Sequence, residues 1–263
     1  MAAETWVLLR GLAREARHWE DFPGRLAAAL GGPAPLTPDL PGAGRRFQEP
    51  APLSVPGLAA AVREEVLGGG ARTPVSLLGL SLGGMVAVAW AQRWPGEVDA
   101  LVTVNTSLGR YAAPWRRLRP GILGLVARAA GARSAEHRER ALLAMIAQNL
   151  PDPDCLARRW GEYQRQCPVS LANIARQTLA AARYRGPAQP PPVRGLVLRS
   201  LGDRMVSPGC SERLAAAWGW PLASHPWGGH DLPLEDPDWC VEQVAAWRAG
   251  RATGGSDAIL AGS

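Results

Sequence analysis

The sequence predicts an α/β protein: a mainly parallel sheet of about six strands, helices on both faces, and a helical segment inserted late in the sheet. Three observations predict it. Short apolar runs alternate with helix-like stretches, the order that successive βαβ units produce. The run from Val75 to Leu78 is short and apolar, of the kind found in strands covered on both faces. With 263 residues and 47% hydrophobic content, the chain suffices for one domain with a sizeable core and an insert.

Strands are expected near residues 5–10, 34–39, 75–79, 98–104, 193–199 and 221–225, with helical patterns between them. The opening "MAAETWVLL" is acidic before a short apolar run, so it reads as a first strand and not a signal peptide. Residues 73–92 carry no charge, and about 20 apolar residues cross a bilayer. Composition argues against a span. Pro74, Ser76, Gly79, Ser81, Gly83 and Gly84 crowd its first half, where Gly costs roughly 1 kcal/mol against Ala and Pro about 3. The stretch therefore divides into a buried strand at 75–78 and a buried helix at 85–92, leaving no membrane span. Residues 106–192 break the alternation; they are helix-like and end in "GPAQPPPV", whose prolines make a stiff return to the sheet. The expected organisation is a first part of the core at 1–105, a helical lid at 106–192, a second part of the core at 193–250, and a small, polar, disordered tail at 251–263.

Between the strand and helix of 73–92 lies Gly79-Leu80-Ser81-Leu82-Gly83, a G-x-S-x-G pentapeptide. A nucleophilic serine must stand above the sheet on a sharp, strained turn, and glycines on either side remove Cβ atoms that would collide there. The turn also sets Ser81 before a helix N-terminus, where free N–H groups favour a developing oxyanion. A base and an orienting acid must come from elsewhere. Of His18, His137, His225 and His230, the order nucleophile, acid, histidine leaves His225 and His230. His230, in "WGGHDLPLEDP", is the better base, because Gly228 and Gly229 let a loop lift the imidazole over the strand ends; His225 ends the last expected strand and reads as structural. For the acid, Asp203 follows the strand-like "VRGLVLRS" directly and precedes His230. It would hold the imidazole in its working tautomer. Asp231 adjoins His230 and would point away from it, and Asn105 supplies no carboxylate.

"GLSLGG", "LGDRMV" and "GGHDLP" together resemble the nucleophile elbow, acid turn and histidine loop of the α/β-hydrolase fold. "WVLLRGL" resembles that family's first strand and HG loop, and "PDLPGAG" its D-x-P-G-x-G turn, so the likeness runs from residue 5 to about 249. The resemblance implies an oxyanion hole from the backbone N–H groups of Leu12 and Leu82. One departure matters: Arg10 stands where the family usually has His, so hydrogen bonding within that loop must differ. The family's first two antiparallel strands also have no counterpart. Within the resemblance, the chain is similar to small lidded bacterial carboxylesterases and to pimeloyl carrier-protein methyl ester esterases. A serine nucleophile argues against the dehalogenase and epoxide hydrolase branches, which use Asp.

Charge is uneven. The net is +6 and every basic residue is Arg. Residues 106–192 hold fourteen Arg against five acids, a net of +9, leaving −3 for the rest. Such a segment could steer an anionic partner. No nucleic-acid module is visible, so an acyl group on an acidic carrier protein or on coenzyme A is the better anionic candidate. The apolar stripes "GILGLVARAAG" and "ALLAMIAQNL" in a lid imply an apolar acyl or alkyl group on the substrate, with Trp115, Trp160 and Trp227 as candidate lining. Four cysteines without C-x-x-C spacing indicate neither zinc nor a disulfide framework, and a reducing cytoplasm is expected. No metal or organic cofactor is implied. The expected activity is hydrolysis of carboxylic esters through an acyl-enzyme on Ser81. The alternatives are an esterase or thioesterase on carrier-bound or coenzyme A-bound acyl groups, and a hydrolase-like binding protein without turnover.

Overall fold

The computed structural model describes residues 4–251. Five strands form one parallel sheet in the order of the sequence: β1 (Thr5–Leu9), β2 (Val75–Leu80), β3 (Val98–Val104), β4 (Arg194–Ser200) and β5 (Leu222–His225). The expected tail from 252 onward lies outside the described residues.

The sixth expected strand, at 34–39, is not one. Only Leu36 reaches the sheet, as a single parallel bridge to Val7. Its N–H donates to the Trp6 carbonyl and its own carbonyl accepts from Leu8, both at 2.8 Å. Pro33, Pro35 and Pro38 surround it, and a proline has no N–H to continue a ladder. The bridge still fixes the topology, because the chain crosses β1 to one side at Leu36 and returns to the other side at β2. Strand order therefore reverses between β1 and β2, and in open α/β sheets the crevice beyond the strand ends at such a point is where ligands bind.

Alternate residues of β1, β2 and β3 feed two cores, and β4 and β5 add to the second. Val7, Leu9, Val75, Leu77, Val98 and Leu101 face helices α2 (Val55–Gly68) and α3 (Leu82–Arg93). Leu8, Leu78, Leu80, Val102, Leu196 and Leu198 face α1 (Phe22–Leu30) and the final helix (Pro237–Arg248). Helix α3 is buried on nearly every side, which explains why it reads as apolar all round. The twenty uncharged residues at 73–92 are thus β2, a turn and α3, and among the described residues no helix is long and apolar enough to cross a membrane.

Between β3 and β4 the chain forms α4 (Pro114–Arg117), α5 (Leu123–Ala130), α6 (Ala135–Ile146), α7 (Pro153–Gln166) and α8 (Leu171–Arg183). Ser134, Asp152 and Ser170 start α6, α7 and α8 by accepting the N–H three residues on. Leu143, Met145 and Ile146 of α6 pack with Leu156 and Trp160 of α7 in a core of their own, so that part of the apolar stripe serves packing. After β4 follow α9 (Gly209–Trp218), β5, α10 (Leu232–Glu235) and the final helix, α11.

Candidate active site

Ser81 joins β2 to α3 with φ 55° and ψ −115°, a conformation that costs a non-glycine residue free energy and is held by its surroundings. Its N–H donates to the Val104 carbonyl at 2.9 Å, which pins the turn to the end of β3. The flanking glycines are sterically required. A Cβ on Gly79 would lie 2.4 Å from the Gly83 carbonyl oxygen, and one on Gly83 would lie 2.0 Å from the Leu9 carbonyl oxygen. The loop after β1 closes on the same turn, with the Cβ position of Gly11 at 3.6 Å from the Ser81 Cβ. Among the described residues, the N–H groups of Leu12 and Leu82 have no acceptor. The Ser81 hydroxyl likewise has no hydrogen-bond partner among them, and the residue is half-buried.

Asp203 is buried in the loop after β4. Its Oδ1 accepts the N–H groups of Met205 and Val206 at 2.8 and 2.9 Å, and its Oδ2 lies 2.7 Å from Nδ1 of His230. Both oxygens are therefore committed and the imidazole is oriented from one side, leaving Nε2 for other work. Burial opposes protonation of His230, but the charge of Asp203 and its hydrogen bond outweigh that; Asp231 adds to the rise and Arg10 subtracts from it. The net effect raises His230 above the ordinary histidine value.

Two features of the site escaped the sequence. Asn105, at the end of β3 with φ 46°, accepts the Ser200 N–H at 2.8 Å through Oδ1. Its amide nitrogen donates to the His230 carbonyl at 2.9 Å and the Gly229 carbonyl at 3.2 Å. One side chain thus ties the end of β4 to the loop of His230, one residue from the Val104 carbonyl that holds Ser81. A polar residue closing the apolar run "ALVTVN" was the available signal. The second is a buried ion pair: Arg10 clasps Asp231 with both terminal nitrogens, Nη1 at 3.1 Å from Oδ1, and lies over the Trp19 ring at 4.7 Å. The Arg that replaces the family's usual His therefore fastens the loop of Gly11 and Leu12 to the residue after His230. Arg10 in place of the family's usual His was its only trace.

His225 is structural. Its Nδ1 accepts the Gly228 N–H at 2.8 Å, its Nε2 lies 3.1 Å from Asp236, and its ring packs edge-on against Trp227 and Trp239. The three candidate tryptophans part company. Trp160 is fully buried, donates to Glu20 at 2.7 Å and packs against His18 and Arg14, so its faces are already occupied. Trp227 is partly exposed beside His225, and Trp115 is 66% exposed on α4.

The insertion is fastened to these loops. The Ile146 carbonyl, ending α6, accepts the Asp231 N–H at 2.8 Å. From α8, Gln177 accepts the Ala13 N–H at 2.9 Å and donates to the Pro41 carbonyl at 3.0 Å. A second buried pair, Arg14 with Glu139, joins the loop after β1 to α6.

The profile of a family described as the alpha/beta hydrolase family matches residues 6–243. No curated protein sequence matched the chain. Among solved structures the fold is similar to that of a lipase candidate from Acinetobacter baumannii AYE, with 21% identity over 94% of this chain and 84% of that one and a TM-score of 0.73. It is similar to the enol-lactonase of Burkholderia xenovorans LB400, with 18% identity over 95% and 92% of the two chains and a TM-score of 0.72. A thermophilic esterase from Thermogutta terrifontis gives 20% identity over 95% and 91% and a TM-score of 0.67. At these identities the likeness carries the fold and not the substrate.

Proposed function

The chain belongs to the alpha/beta hydrolase family, and from that premise we propose that it is a serine hydrolase of carboxylic esters, working through an acyl-enzyme on Ser81. The observation that carries the proposal is a serine held at positive φ on the β2–α3 turn, on strand ends adjoining a buried, hydrogen-bonded Asp203–His230 pair. In the reaction Ser81 Oγ attacks the ester carbonyl while Nε2 of His230 takes its proton and returns it to the departing alcohol. Water, deprotonated by the same nitrogen, then releases the acid. Asp203 keeps Nδ1 protonated and stabilises the imidazolium. The unpartnered N–H groups of Leu12 and Leu82 would receive the oxyanion; donors of this kind are worth about 10²–10³-fold in rate. The insertion serves as a lid, a role supported by its hydrogen bonds to the histidine loop and the loop after β1. Exposed Leu123 and Val126 in that insertion favour an apolar acyl or alkyl group.

The test is labelling by a fluorophosphonate with the site mapped by peptide mass, beside turnover of p-nitrophenyl esters. The expected result is a single adduct on Ser81, and loss of both labelling and turnover in Ser81→Ala. Turnover that survives Ser81→Ala refutes the proposal.

A further inference from the structure

The geometry points to a second binding site, for a ligand of nucleotide type, in a cleft between α4 and the loop that carries Asp203. The cleft has a volume of about 560 Å³, within the range of small-molecule sites, and its walls include Trp115, Arg116, Arg119, Arg204 and Ser207. Among the described residues no carboxylate pairs with any of these three guanidinium groups. The nearest acid in sequence, Asp203, has both oxygens engaged by His230, Met205 and Val206. Three cations gathered without a counterion repel one another, and an anion between them would relieve that repulsion.

The walls are braced. The Arg119 N–H donates to the Met205 carbonyl at 2.9 Å, the Ser207 N–H to the Arg116 carbonyl at 2.9 Å, and Nη1 of Arg119 to the Asp203 carbonyl at 2.8 Å. A braced cleft loses little freedom when a ligand enters. Guanidinium forks match phosphate oxygens two at a time, and Ser207 can add a hydroxyl donor. The exposed Trp115 ring supplies what a bare phosphate does not use, a flat apolar face for a planar base. Phosphates joined to an aromatic base satisfy both halves of the cleft, whereas an acidic peptide would leave the indole unused. Such a ligand has two sources: a free nucleotide, or the nucleotide end of coenzyme A bearing an acyl thioester. Only the second source rests on the hydrolase proposal.

Isothermal titration calorimetry at low ionic strength, on the full chain and on Ser81→Ala, tests the site with ADP, coenzyme A, pyrophosphate and an acidic peptide as probes. ADP and coenzyme A should bind at one site equally well in both proteins, so that the outcome is independent of whether Ser81 is a nucleophile. Arg116→Glu and Arg204→Glu should each weaken binding about tenfold or more, and Arg116→Gln less, with unchanged circular dichroism. Trp115→Ala should weaken ADP and coenzyme A and leave pyrophosphate unchanged. Coenzyme A bound at least about tenfold tighter than ADP identifies a substrate handle, and equal affinity identifies a free nucleotide. Absence of ADP and coenzyme A binding, binding of the peptide alone, or indifference to the Arg changes overturns the inference, as does a Trp115→Ala protein that binds ADP normally.

Discussion

Replacing Asp231 with Asn takes one charge from a pair whose side chains are each 2% exposed. Arg10 then keeps its charge with one acceptor lost, and its Nε already has no partner. Its remaining compensation is the Trp19 face at 4.7 Å. Removing one member of a buried pair destabilises by about 3–5 kcal/mol, because the survivor stays buried and uncompensated. For a domain of this size that lowers Tm by roughly 6–20 °C. The double change Arg10→Met with Asp231→Leu should be milder than either single change, since an apolar pair leaves no stranded charge. The same variants act on His230 in opposite directions. Asp231 raises its pKa and Arg10 lowers it, so Asp231→Asn should move the acid limb of kcat/KM to lower pH and Arg10→Met should move it to higher pH. Urea unfolding and pH–rate profiles on a p-nitrophenyl ester measure both effects. A loss under about 1 kcal/mol for Asp231→Asn, the worth of a solvated pair, would refute the argument, and so would limbs that shift the same way.

Three further outcomes follow from the site. A raised His230 pKa means that the neutral, proton-accepting imidazole is lost at a higher pH as acid is added, so the wild-type limb should lie above the ordinary histidine value of 6.5; a limb below it contradicts the Asp203–His230 arrangement. Asn105→Ala leaves the buried Ser200 N–H without its acceptor and frees the histidine loop; it should cost about 1–3 kcal/mol by urea unfolding and lower kcat more than it raises KM. Gly83→Ala drives a methyl to 2.0 Å from the Leu9 carbonyl oxygen, and the atoms it meets are backbone, which cannot turn aside as a side chain can. Its loss of stability should exceed about 4 kcal/mol, or soluble protein should be absent, and a normal melting curve would show the turn to be slack.

The fold was legible where one local signal sufficed. Apolar runs marked all five strands, and Pro74 and the glycines around Ser81 divided the uncharged stretch into strand, turn and helix. At Leu36 the same logic overreached, since apolar character was visible but each neighbouring proline removed a ladder donor. The pairing of Asp203 with His230 could be read from order along the chain, because strand ends in a parallel sheet converge on one edge. Contacts without a motif could not be. Arg10 and Asp231 are 221 positions apart, and each is an ordinary surface residue type until the fold buries both. Asn105 supplies no carboxylate, and its use is to satisfy three backbone groups that no short pattern announces. Trp160 reads the same as any other tryptophan until its partners Glu20, Arg14 and His18 are in place.

The prolines around Leu36 bear on how copies of this molecule meet. An open parallel sheet offers a row of unsatisfied donors and acceptors along its outermost strand, and such a row can template self-association. Here one flank ends in a short proline-studded segment that makes two backbone bonds and has few donors left. Growth of the sheet across that border into a neighbouring molecule is blocked chemically, so concentrated protein should resist fibrillar assembly from this side without needing charge to repel it.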